Sequence, residues 1–157
     1  MSSQSLEVGI QPEIDCGVID FNKHQQRILL IRWSSNGQTG APEQYAEIAD
    51  ESLGVIHVGA FAVESLIAVA RLRVCAGTND GLIEKFAIDP ASSARGLGEA
   101  LLMFAEAQLR RERTRSAVIQ VDPSGQDCLL ALGYNKMESN EAEVPNKPSV
   151  MLRKILD

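Results

Sequence analysis

An α+β fold, with a central and mostly antiparallel sheet flanked by helices, is predicted by three features of the sequence. The stretch Gly81–Gln108 passes from a segment rich in β-branched and aromatic residues, through a loop with two glycines, into a long amphipathic helix. Two apolar runs, Gly54–Val63 and Leu66–Cys75, precede it with only Glu64-Ser65 between them, so three antiparallel strands follow one another. The whole order reads strand, two helices, three hairpin strands, helix, strand, helix and two final strands. At 157 residues the chain is expected to be one domain, residues 1–157, with room for a real core.

Each element has a local reason. Leu6-Glu7-Val8-Gly9-Ile10 alternates like a short edge strand. Asp20 is placed to cap a helix over Phe21–Trp33, whose Ile28, Leu29, Leu30 and Ile31 are to be buried while Lys23, His24, Gln25 and Arg27 face water. Ser34–Gly40 is a turn cluster, and Pro42–Glu47 is expected to begin a second short helix. Ala76–Gly81 turns the chain into the strand Leu82–Ile88, which stops at Asp89-Pro90 because proline has no N–H for the ladder. Leu97, Leu101, Ala105 and Leu109, widened by Leu102 and Phe104, make the apolar stripe of the long helix. Ala117–Val121 is a buried strand, and Asp122-Pro123-Ser124-Gly125 breaks it. Gln126–Leu132 is helical and ends at Gly133 as a C′ glycine. Tyr134–Met137 and Val150–Ile155 are the last strands, joined by the polar stretch Glu138–Ser149.

Where the strand gives way to the long helix, Arg95-Gly96-Leu97-Gly98 leaves backbone N–H groups bare at the positive end of the helix, an anion site in outline. A P-loop would need Lys and Ser/Thr after the last glycine, and Glu99-Ala100 stand there. A dinucleotide fingerprint would need a small residue where Leu101 stands. The third form is the Q/R-x-x-G-x-G/A loop of acyl-CoA-dependent N-acyltransferases, and the fit extends past the glycines. Phe86-Ala87-Ile88-Asp89-Pro90, the loop Ala91–Arg95, then Gly-Leu-Gly and Glu-Ala-Leu-Leu closely resemble the core motif of the GNAT superfamily. Cys128–Tyr134 is similar to a degenerate form of that family's "FYEKLGF" segment.

The resemblance implies a GNAT-like fold and acetyl transfer from acetyl-CoA to the amine of a small molecule or protein, by direct attack and without a covalent intermediate. It implies that loop N–H groups of Ala94, Arg95, Gly96, Leu97, Gly98 and Glu99 hold the CoA diphosphate, with Ser93 at the position of the family's Gln/Arg. Phe86, Ala87 and Ile88 stand where the family's strand pairs with the pantetheine arm, Asp122 matches an asparagine often found there, and the first two helices flank the substrate side. Glu84 falls in the strand where many members carry a base that takes the ammonium proton. Its alternative is a structural ion pair with Arg71 or Arg73. By alternation it shares a face with Leu82 and Phe86. The family's acid, a tyrosine, is replaced by Leu129. The rival from another class is a non-catalytic acyl-CoA-binding or interaction module of the same fold.

Composition sets further bounds. A net charge of -6 argues against a general nucleic-acid binder and weakly favours cationic substrates such as amines. Cys16, Cys75 and Cys128 are odd in number and far apart, with no C-x-x-C, so neither a disulfide framework nor a zinc knuckle is suggested, and no other metal site is expected. A reducing cytoplasm fits. The N-terminus lacks a basic-then-apolar signal pattern, and no apolar run reaches the roughly 20 residues of a membrane span. A homodimer is compatible with the sequence. His57 reads as structural, His24 as a surface residue, the Arg110–Arg115 run as the solvated end of a helix, and Cys128 as a small buried side chain.

Overall fold

The computed structural model describes residues 13–75, 77–92, 96–137 and 149–156. Seven strands are present among them: β1 (Ile14–Ile19), β2 (Val55–Ala62), β3 (Ser65–Val74), β4 (Asp80–Ile88), β5 (Ser116–Val121), β6 (Asn135–Lys136) and β7 (Val150–Ile155). They form one sheet in the order β1-β2-β3-β4-β5-β7-β6, antiparallel at every joint except β4–β5, which is parallel. Three helices, α1 (Phe21–Ser35), α2 (Leu97–Arg111) and α3 (Gln126–Ala131), complete the α+β architecture expected from the sequence. No helix among the described residues is long and apolar enough to cross a membrane.

The two long helices cover opposite faces of the sheet. Asp20 caps α1 by accepting from the N–H groups of Asn22 at 2.9 Å and Lys23 at 3.4 Å, which fixes where the helix begins. From there Ile28 and Ile31 pack with Phe21 on Ile19, Leu66, Val69 and Ala87. Leu97, Leu101, Leu102, Ala105 and Leu109 of α2 pack on Val58, Ala68, Leu72 and Ile83 from the other side, as the apolar stripe predicts. Gly81 allows that approach: a Cβ there would lie 2.5 Å from Leu109 Cδ2, inside any tolerable contact. Burial of a leucine as complete as that of Leu109 contributes about 1.5–3 kcal/mol. Arg27 then ties α1 to the end of β4, donating to Leu66 O and Asp89 Oδ2, both at 2.8 Å.

Several expectations need correction. The first described strand is Ile14–Ile19, and the expected Leu6–Ile10 strand lies outside the described residues. Pro42–Glu47 does not open an α-helix; the segment forms two separate 3₁₀ turns, Pro42–Tyr45 and Ile48–Glu51, with Ala46 and Glu47 extended between them. The β2–β3 hairpin turns one residue earlier than expected, at Val63-Glu64, since Ala62 already pairs with Ser65. That places the β-branched Val63 at φ 59.

The most consequential correction is in β4. Arg71 pairs with Glu84 but Val69 pairs with Ala87, so β4 carries one extra residue, a β-bulge, and Lys85 within it has φ 51. One inserted residue reverses which side chains face which way. Glu84 therefore shares a face with Leu82 but not with Phe86, which packs with Ile83 and Ile88 toward α2 while Ala87 faces α1.

Candidate functional site

The parallel joint between β4 and β5 lasts four residue pairs, from Asp80↔Ser116 to Ile83↔Ile119, and then the strands part. Beyond it, the β5-facing backbone of β4 from Glu84 to Ile88 has no strand partner among the described residues, while its other edge stays paired with β3 as far as Ala68↔Ile88. Unpaired backbone donors and acceptors in a strand are ready to bind an extended ligand.

A cleft opens on each face of this gap. The one on the α2 side, about 600 Å³, is lined by Phe86 and Ile88 of β4, Gly98 and Glu99 of α2, Asp122 at the end of β5, and Cys128 and Leu129 of α3, among others. The one on the α1 side, about 620 Å³, is lined by Arg71 and Arg73 of β3, Leu82 and Glu84 of β4, Glu47, and Met151 of β7, among others. Asn36, Ile83, Lys85, Gln120, Val121 and Asp122 line both, so the two clefts meet through the gap.

At the α2 N-terminus, Gly96 is the N-cap residue at φ 78, a left-handed conformation that favours glycine. The first helical bond runs from Ala100 N–H to Gly96 O, so the N–H groups of Leu97, Gly98 and Glu99 have no acceptor in the helix. Leu97 offers only that backbone group, because its side chain is core. Gly98 is not required by packing: a Cβ there would sit 3.4 Å from Ile88 Cδ1, an ordinary contact directed into the cleft. Glu99 brings a carboxylate that suits the helix dipole but opposes a bound anion. Ser93, Ala94 and Arg95 lie outside the described residues.

Asp122 caps the turn Pro123–Gly125, accepting from the N–H of Ser124 at 3.0 Å and from its hydroxyl. These bonds from Ser124 hold its carboxyl below the usual range. Leu129 is buried and apolar in the cleft wall. Tyr134, the neighbouring phenol, points into the core and donates to Glu106 Oε2 at 2.8 Å. Burial, with the Glu106 bond, pushes its pKa up. Cys128 is exposed and lines the cleft, contrary to the expected buried cysteine.

On the α1 side the structure assembles a network of charges. Glu84 accepts from both arginines that the sequence offered as partners. Arg71 Nη2 reaches Oε2 at 2.6 Å, while Arg73 reaches Oε1 through Nε at 2.8 Å and Nη2 at 2.5 Å, and Oε2 through Nη2 at 2.9 Å. The ion-pair alternative is thus present, and a proton could be taken up only as a guanidinium withdraws. Arg71 also meets Asp50 Oδ1 and Glu47 Oε1, each at 2.9 Å, and Lys85 meets Glu47 Oε2 at 2.8 Å. Behind them the fully buried Asp50 carboxylate takes Arg32 in a two-pronged pair, both contacts at 2.9 Å, and the Glu47 N–H at 2.8 Å. Burial raises the Asp50 pKa, but the bonds from Arg32, Glu47 N–H and Arg71 outweigh it and hold the carboxyl at about 2. The Glu47 pKa is likewise lowered, the Lys85 and Arg71 contacts overcoming its partial burial. His57 is structural: its ring is buried 4.8 Å from that of Phe21, and Nε2 bonds Asp50 O at 2.9 Å. Burial lowers its pKa, keeping it neutral.

Of the residues named from the sequence, the structure brings Phe86, Ile88, Gly98 and Glu99 to one cleft, Glu84 to the other and Asp122 to both. Ala87 faces α1 instead. Sequence reading missed Arg32 and Asp50. Arg32 inside the apolar run of α1, like Arg71 inside that of β3, signals a buried cation needing an acid, but no spacing identifies Asp50 as that acid.

The acetyltransferase (GNAT) family model matches residues 24–134, more than half of the chain. No curated protein matches the sequence. Among solved structures, similarity extends to the ribosomal-protein-S18-alanine N-acetyltransferase of Escherichia coli (14% identity, TM-score 0.73, 92% of this chain and 95% of that one). It extends also to a GNAT-family acetyltransferase of Staphylococcus aureus (11%, TM-score 0.72, 92% and 100%). A third is the PaiA N-acetyltransferase of Thermoplasma acidophilum, solved with coenzyme A (16%, TM-score 0.68, 91% and 99%). Identities this low speak for the fold alone, but the match over residues 24–134 speaks for descent: the chain belongs to the acetyltransferase (GNAT) family.

Proposed function

We propose that residues 1–157 form one acyltransferase domain that moves an acetyl group from acetyl-CoA to an amine by direct attack. The observation that carries this reading is the opening between β4 and β5, where a cleft below a helix N-terminus meets a second cleft lined with charge. In this reading the first-turn N–H groups of α2, with Ser93, Ala94 and Arg95, hold the diphosphate, and the free edge of β4 from Phe86 to Ile88 holds the pantetheine amides. Asp122 stands at the passage between the clefts. Acetyl-CoA supplies the activated acyl carbon. A β4 N–H polarises the thioester carbonyl, and Glu84 takes a proton from the acceptor ammonium. The freed amine forms the new C–N bond as the C–S bond breaks, and the nitrogen then gives up its second proton to water. With Leu129 where the family carries its acid, the sulfur leaves as thiolate, a group whose pKa near 8.5 makes that departure feasible. Three free cysteines suit work in a reducing cytoplasm.

A second reading, an acyl-CoA-binding module without chemistry, is favoured by the two guanidiniums on Glu84 and by Leu129. One experiment separates the two. Acetyl-CoA at about a hundred times its dissociation constant should stabilise the protein by roughly 2.7 kcal/mol, and Gly98→Val should abolish most of that shift by filling the cleft. CoA release with an amine, reduced about a hundredfold at neutral pH by Glu84→Gln and partly restored at high pH, supports the enzyme. Binding without release for any amine at any pH supports the module.

A further inference from the structure

We infer that the acceptor carries a carboxylate beside its amine, and that Arg73 is the residue that recognises it. The inference rests on the acyl-transfer reading above. Among the described residues, four cations, Arg32, Arg71, Arg73 and Lys85, are joined to three carboxylates, Glu47, Asp50 and Glu84, in one connected network with one positive charge left over. This surplus stands in a protein whose net charge is -6. Asp122 lines the β5 side of this cleft and makes no ion pair with the network; Ser124 bonds its Oδ1 without neutralising it, so the surplus is a property of the network and not of the whole cleft.

The surplus is accessible at Arg73. Arg32 and Arg71 are buried to 3% exposure, whereas Arg73 and Lys85 are 43% and 40% exposed and both line the α1-side cleft; of these two only Arg73 presents a planar fork, Lys85 being a single ammonium held by Glu47. Its Nε and Nη2 already grip a carboxylate, that of Glu84, and its Nη1 makes no hydrogen bond among the described residues. The fork is therefore set for carboxylate geometry. An incoming carboxylate can draw the guanidinium outward while Arg71 keeps Glu84 in place through Oε2. Glu84 Oε1 is then unsaturated beside the ligand's ammonium and takes its proton: the N–H bond breaks, the Glu84 O–H bond forms, and the neutral amine is left with the lone pair that attacks. Recognition of the acid group and release of the base are one exchange of partners. A simple monoamine has nothing to offer Arg73 and leaves Glu84 clamped.

The test compares the common L-amino acids, each against its own carboxamide, in two assays: CoA release from acetyl-CoA, and thermal shift of the protein by the amine alone. The expected result is at least one amino acid used at least tenfold better than its carboxamide. Arg73→Gln should raise KM for that amino acid about tenfold or more. It should not weaken use of the carboxamide and should raise it, because Glu84 is then held by Arg71 alone, and it should leave the acetyl-CoA affinity nearly unchanged, because Arg73 does not line the α2-side cleft. Arg73→Lys should fall between, keeping charge without the fork. In the absence of turnover, a thermal shift by the acid that Arg73→Gln removes still supports the site. Carboxamides used or bound as well as acids, equal effects of Arg73→Gln on both, or no shift by any amino acid overturns the inference. Loss of the acetyl-CoA shift strikes the acyl-transfer reading instead, so the two failures are distinct.

Discussion

Asp50→Asn tests the buried half of the charge network. In the native protein this carboxylate has no exposed surface and serves two guanidiniums that are themselves 3% exposed. Its pKa is lowered from 3.8 to about 2, against a burial effect of opposite sign. At about 1.36 kcal/mol per pKa unit, its charged form contributes about 2 kcal/mol to folding at neutral pH. The variant costs more than that, since the new amide presents donors to donors, removes one of the three carboxylates around Arg71 and leaves the buried Arg32 without a carboxylate among the described residues, a situation worth about 3–5 kcal/mol in buried pairs. At roughly 2–4 °C per kcal/mol for a chain of this size, Tm at pH 7 should fall by about 6–20 °C. The sign of the pH dependence follows from the lowered pKa: this contribution is complete above about pH 4 and is lost as pH falls through about 2. Melting curves of both proteins between pH 7 and pH 2 should therefore converge at the acid end. A variant within about 2 °C of wild type at pH 7, or a gap that widens on acidification, would refute the reasoning.

Leu129→Tyr, which sets a phenol into the α2-side cleft wall, should raise turnover without changing acetyl-CoA affinity if the hydroxyl reaches the sulfur; steady-state kinetics decide it. Tyr134→Phe should leave turnover unchanged yet lower stability by about 1.5–3 kcal/mol in denaturant titrations, because the lost hydroxyl bonds a buried charged carboxylate. Val63→Gly should raise stability by about 1 kcal/mol, since φ 59 is costly for a β-branched side chain and this one is exposed.

Local chemistry was what the sequence made legible. Asp20 as a cap, the strand ending at Pro90, the α2 stripe and Gly133, which has φ 99, each depend on residues within a turn or two of one another. The glycine loop was legible for the same reason, and with it one wall of the α2-side cleft. What escaped depended on partners distant in sequence. Ile14–Ile19 contains Asp15 and Gly17, and it is a strand because β2 lies beside it. The bulge falls on Lys85 rather than on a glycine, so nothing local marks it, and the face of Phe86 was misread in consequence. Glu84 could be matched with Arg71 and Arg73 because neighbouring strands share a register. Asp50 could not, because the 3₁₀ turn that carries it, Ile48–Glu51, follows no period.

The gap between β4 and β5 is closed at one end, its hinge, by contacts that lie outside both clefts. At the hinge end, Asp80 accepts from Ser116 Oγ and from Arg153 Nη2 at 3.0 Å, and Asn79 O accepts from the N–H groups of Arg115 and Ser116. These contacts fasten β4 to β5 and β7 where the strands are paired. The four paired residues span about 13 Å and the five beyond them on β4 about 16 Å, at roughly 3.3 Å per residue. The open stretch is thus slightly longer than the joint that closes it. On the proposed reading, the opening through which donor and acceptor meet begins where Asn79, Asp80, Arg115, Ser116 and Arg153, which line neither cleft, hold the strands together.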